Sequence, residues 1–132
     1  MRDWTQKAKF RHGFLYALGE LRERVSYQDT PKLHAAFNGM FQLAAKTMPT
    51  PEFEFLSGMS MDPMFGVFHE TDELILEGEQ DLLLEWGRNT FYFQACGKEA
   101  TQELERVAHA DWFRSLAKYF LEELSRSVPV VV

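Results

Sequence analysis

The sequence predicts an α+β fold in one domain, 1–132. It expects an N-terminal antiparallel helix hairpin, a small antiparallel β-meander, and one or two C-terminal helices packed on the sheet. Three observations lead there. Apolar residues recur at steps of three and four through the first fifty residues and again beyond residue 100, which is the spacing of one helix face. Between these regions the pattern shifts to short alternating or aromatic runs broken by Gly, Pro and Asn. Finally, 132 residues that are 45% apolar and carry 12 Phe are enough for a single aromatic-rich core.

Residues 3–26 read as the first helix, with Phe10, Phe14, Leu18, Leu21 and Val25 on one stripe. Gly13 and Gly19 lie inside it and each weakens a helix by about 1 kcal/mol relative to Ala, so a close neighbour or a kink is expected there. Residues 30–48 form the second helix. Thr30 can cap it, Pro31 suits the first helical position, and Leu33, Phe37, Met40, Phe41, Ala44 and Met48 share a face before Pro49 and Pro51 end it.

From residue 52 strands are expected. Phe53 and Phe55 alternate with Glu52 and Glu54, residues 64–69 are apolar and aromatic, and 90–96 (TFYFQAC) follows the turn residues Gly87, Arg88 and Asn89. The segment 72–86 has two readings. As a hairpin it pairs 74–77 with 82–86; as a helix it groups Ile75, Leu82 and Trp86 behind a Thr71 cap. The hairpin is favoured because Gly78 falls mid-segment and Leu76 and Leu84 would face outward from a helix. After Gly97 the chain returns to helix, with a weak stripe at Leu104, Val107 and Ala108 and a stronger one at Phe113, Leu116, Ala117, Phe120 and Leu124. Asp111 can cap the second of these, and Pro129 ends it.

The charge is unevenly distributed. Net charge is −6, which argues against nucleic acid as a ligand. Residues 1–50 sum to +4, residues 51–89 to −9 and residues 90–132 to −1. No Lys or Arg occurs from 47 to 87, where ten acids accumulate with Arg88 just beyond. The acids either form a solvated surface partly neutralised by the basic first helix, or a negative face that steers a basic partner. They lack the alternate spacing around a glycine turn that a hard-metal loop needs, so no metal is assigned.

One cysteine, Cys96, excludes an internal disulfide framework and fits a reducing compartment. The N-terminal residues lack the apolar run of a secretory signal. Uninterrupted apolar runs, such as 82–84 and 130–132, are far too short to span a bilayer. A cytoplasmic protein without membrane attachment is expected.

No catalytic residue and no cofactor is assigned. Cys96 lies just ahead of a helix beginning near Lys98, a setting that can activate a thiol, but it equally suits a small buried residue. His12, His34, His69 and His109 show no ligand spacing, and Gly97-Lys98 lacks the upstream glycine and following hydroxyl of a phosphate loop. The expected function is a non-enzymatic protein-binding module of inhibitor, immunity or chaperone/adaptor type, which also self-associates. Its binding residues are Glu70, Asp72, Glu73, Glu77, Glu79, Met59, Met61 and Phe65, facing a basic or amphipathic protein. The alternative is a small enzyme or ligand-binding domain with a pocket between sheet and helices near Cys96 and His69.

Overall fold

A computed structural model describes residues 2–27, 30–58, 69–81 and 83–126. Along the chain run α1 (Arg2–Leu21), β1 (Arg24–Ser26), α2 (Thr30–Thr47), a 3-10 segment (Pro51–Gly58), α3 (His69–Gln80), β2 (Leu84–Gly87), β3 (Thr90–Phe93), α4 (Lys98–Glu105) and α5 (Ala110–Arg126). The architecture is α+β: an N-terminal helix pair, a small three-stranded antiparallel sheet, and C-terminal helices packed on it.

The core forms where the helical stripes meet. Phe10, Phe14 and Leu18 of α1, Phe37 and Met40 of α2, and Phe113, Leu116 and Phe120 of α5 are all but inaccessible to solvent. Their rings interlock: Phe37 and Phe120 centroids lie 4.6 Å apart, and Phe14 meets Phe120 edge to face at 5.5 Å. Such pairs add about 0.5–1.5 kcal/mol each beyond the area they bury. Both α1 and α2 pack along α5, and both also touch the 3-10 segment and α3.

The two glycines inside α1 mark close approaches. A β-carbon at Gly13 would stand 2.5 Å from the Phe113 ring, and one at Gly19 would fall on the Ala95 carbonyl oxygen. The Gly19 carbonyl also accepts a hydrogen bond from the Gly97 amide at 3.0 Å, fixing where α4 begins.

The first helix ends at Leu21 rather than continuing to 26. Val25, though in phase with the helical stripe, is instead buried opposite Phe91 in the sheet, and Tyr27 stacks on Phe91 at 5.3 Å. The sheet order is β1-β3-β2, so the strand from between the two N-terminal helices flanks the central β3. Arg24, Tyr92 and Glu85 align in one register row on the solvent side, and all three are exposed.

Two stretches expected as strand are helical. Residues 51–58 form the 3-10 segment, which is two short turns meeting at a kink at Phe53 (φ −101°, ψ 22°), with Phe53 and Leu56 buried. Residues 69–80 form α3, where Thr71, Leu74, Ile75 and Gly78 turn toward the core at helical spacing. Gly78 is the reason a mid-helix glycine fits: a β-carbon there would meet Leu15 and Leu84 at 3.1 Å. The expected strand 74–77 therefore does not exist, while 82–86 survives in part as β2. Of the expected strand 64–69, His69 begins α3 and 64–68 lie outside the described residues. The strand 90–96 is shortened to Thr90–Phe93.

The C-terminal region is two helices joined by a turn at Arg106, Val107, Ala108 and His109. His109 has φ 66°, and its carbonyl accepts the amides of Trp112 and Phe113 at the start of α5. Asp111 lies inside the first turn of α5 and pairs with Arg114, so it is not the capping residue.

Candidate functional site

The basic first helix and the acidic middle segment meet at a charged layer between α1 and α3. The Arg11 side chain is only 5% exposed. Its guanidinium donates to both Asp81 (Nε 3.1 Å, Nη2 2.5 Å) and Glu77, and His12 Nε2 lies 3.1 Å from the same Asp81 oxygen. Burial by itself would raise the Asp81 carboxyl, but hydrogen bonds from Arg11 and His12 outweigh it and hold the group below its ordinary range. Nearby, Lys9 pairs with Glu52 of the 3-10 segment at 2.6 Å. Part of the negative segment is thus neutralised within the chain.

A second charged joint ties α1 to the C-terminal helices. Glu20 receives a two-pronged hydrogen bond from Arg114, at 2.9 and 3.0 Å, and a third from the Thr101 hydroxyl at 2.8 Å. The Arg114 bonds, working against burial, keep the Glu20 carboxyl below its usual range, and the Arg114 guanidinium is correspondingly more firmly protonated.

The predicted binding residues divide. Glu70, Asp72, Glu73, Glu77 and Glu79 all belong to α3. Glu77 is turned against Arg11, whereas Glu79 is exposed. Glu70, Asp72 and Glu73 have described backbone only, and Met59, Met61 and Phe65 lie outside the described residues. Beside Glu79 on α3, Leu76 is 58% exposed, a large apolar side chain on an acid-rich helix. The α3 helix packs against β2, which carries Glu85 and Trp86, the latter 51% exposed with its indole N–H donating to the Tyr27 hydroxyl at 2.8 Å.

Sequence reasoning missed Arg11. Its signal was present: Arg11 is four residues before Leu15 and seven before Leu18, so a cation occupies the apolar stripe and requires buried counter-charges. Of the residues named for the alternative pocket, His69 has its backbone described as the first residue of α3. Cys96 is half-buried in the link between β3 and α4, and it lines neither the cleft of Tyr16, Gln94, Glu99 and Glu103 nor that of Lys9, His12 and His109.

Among the described residues, no three His, Cys, Asp or Glu side chains converge to hold a metal ion. No described helix is long and apolar enough to cross a membrane. The class this fold defines is a small helix-dominated α+β domain with internally paired charge. Comparison of the chain with protein-family models, curated proteins and solved structures finds no match.

Proposed function

We propose that this chain is a non-enzymatic protein-binding module that presents the outer face of α3 to a basic, amphipathic partner in the cytoplasm. The observation that carries the reading is the exposed Leu76 beside Glu79 on a helix whose other described acid, Glu77, already has its counter-charge. An exposed apolar anchor beside an exposed carboxylate suits a partner segment with one apolar and one cationic face. The exposed Glu85 and Trp86 on the adjoining β2 extend the same chemistry. A second copy of the chain is a weaker candidate partner, because Lys9, Arg11 and His12 of its basic helix are held by Glu52, Asp81 and Glu77.

The test compares wild type with a Leu76→Ser/Glu79→Lys variant as immobilised baits in source-cell lysate, eluted by rising salt. Glu77 is left untouched because its change would remove one of the two counter-charges of the buried Arg11. A stoichiometric basic protein that leaves wild type at moderate salt, and is not retained by the variant, supports the reading. Equal retention by both baits, or retention insensitive to salt, overturns it.

A further inference from the structure

In the sheet order β1-β3-β2, β2 lies against α3, while β1 pairs with β3 alone. The phase of the ladder decides which backbone groups β1 leaves over. The Tyr27 amide donates to the Asn89 carbonyl at 2.9 Å, and the Phe93 amide donates to the Glu23 carbonyl at 3.2 Å. Both bonds keep the register that sets Val25 opposite Phe91. In an antiparallel ladder alternate residues bond to a given neighbour, so Glu23, Val25 and Tyr27 are spent on β3. The amides and carbonyls of Arg24 and Ser26 therefore point away from β3, and among the described residues no backbone group pairs with them.

That edge borders a cleft of about 420 Å3 between β1 and the last turns of α5. Leu121 and Leu124 supply the wall on α5, and Leu121 is only half-buried. Arg22 and Arg24 are the only charged side chains lining the cleft. Both are exposed, and neither has an acidic partner among the described residues. In a chain of net charge −6, an open strand edge is thus flanked by two uncompensated cations.

We propose that β1 accepts an added strand, an extended segment of a partner protein in which acidic and apolar residues alternate. Its main chain bonds to the outward amides and carbonyls of Arg24 and Ser26, the groups that an edge strand offers to a second chain. Successive side chains of the guest point to opposite faces. Those on the face of Arg24 and Ser26 meet the arginines and are acidic, and those on the other face meet Leu121 and are apolar. The Val25 and Tyr27 side chains stay packed in the core, so nothing buried has to open. Neither α3 nor β2 takes part, and the guest carries the opposite charge to the partner proposed for α3, so the two surfaces stand independently.

The experiment titrates the 15N-labelled full chain with acetyl-(Glu-Val)3-amide and acetyl-(Lys-Val)3-amide, reading amide shifts and hydrogen exchange by NMR. Without peptide, the amides of Arg24 and Ser26 should exchange fast and those of Val25 and Tyr27 slowly. Saturating acidic peptide should shift the amides of β1 and of residues 121–125. It should slow exchange at Arg24 and Ser26 at least about fivefold and leave Val25 and Tyr27 little changed, a pattern that only pairing along the outer edge produces. The Lys peptide should bind about fivefold more weakly, the size expected of exposed cross-strand charge pairs. Arg24→Glu should reverse that preference, with slow Tyr27 exchange showing the ladder intact. Ser26→Pro removes an outward amide that the ladder does not use and should weaken the acidic peptide about fivefold. Absence of saturable shifts at millimolar peptide, binding that leaves the Arg24 and Ser26 amides unprotected, or equal affinity for the two peptides overturns the proposal. Slow exchange at both amides before peptide is added also overturns it. Protection independent of protein concentration then assigns the edge to another segment of the same chain, and protection that grows with concentration assigns it to a second copy.

Discussion

Arg11 is the residue on which α3 is seated, and its energetics are asymmetric. Removing both acids, with Glu77→Gln and Asp81→Asn, leaves a guanidinium buried without counter-charge and should lower unfolding free energy by about 3 kcal/mol. Replacing the cation by Arg11→Met keeps the volume and leaves two half-buried acids free to hydrate, so it should cost under about 1.5 kcal/mol. Urea unfolding of the two variants reads the difference. Among the described carboxyls, Glu20 and Asp81 contribute to the acid limb of stability. Both carboxyls are held below their ordinary values in the folded chain, so the native state binds fewer protons than the unfolded one at low pH. Their stabilisation is complete above about pH 5 and is lost as pH falls through the folded values. Glu20→Gln should therefore flatten the dependence of melting temperature on pH below about 5, while leaving its shape near neutrality unchanged.

Among the elements, α1 and α5 approach most tightly at Gly13. Gly13→Ala drives a β-carbon into the Phe113 ring and should destabilise by about 1–3 kcal/mol. Gly39 in α2 is the internal control: its β-carbon would rest at 3.5 Å from the Tyr119 ring, so Gly39→Ala should stabilise by about 0.5–1 kcal/mol. Thermal unfolding of the pair checks both signs. The same elements explain how much was legible beforehand. The faces of α2 and α5 read directly from their apolar spacing, and the glycines of α1 announced a close neighbour. Residues 51–58 and 69–80 did not read correctly, for different reasons. A Phe53–Phe55 alternation resembles a strand, yet the buried pair is Phe53 with Leu56. In α3 the glycine that argued for a turn is where the helix crosses Leu15 and Leu84, a tertiary fact invisible to local pattern. Of the candidate site, the assignment of acids to one segment was legible. Which acid is spent on Arg11 was not, because it depends on how α1 and α3 are apposed.

For the whole molecule, the chain-long imbalance between a basic beginning and an acidic middle is partly resolved by folding. Arg11 is shielded from salt, while Lys9–Glu52 is exposed and screened. Stability should accordingly change by less than about 1 kcal/mol between low salt and about 0.5 M, a small response given how segregated the charge is along the sequence. Measuring urea midpoints at both ionic strengths checks this. One consequence follows from the way α3 is held. When α3 lifts away, Arg11, Glu77 and Asp81 all return to water, so the charged layer adds little to the cost of opening, and the apolar contacts of Leu74, Ile75 and Gly78 must supply most of it. The helices α1, α2 and α5, by contrast, share one interlocked set of aromatic rings and cannot part singly. In native-state hydrogen exchange, the amides of α3 should therefore report a partial opening of lower free energy, while those at the centre of α5 exchange only when the whole domain unfolds.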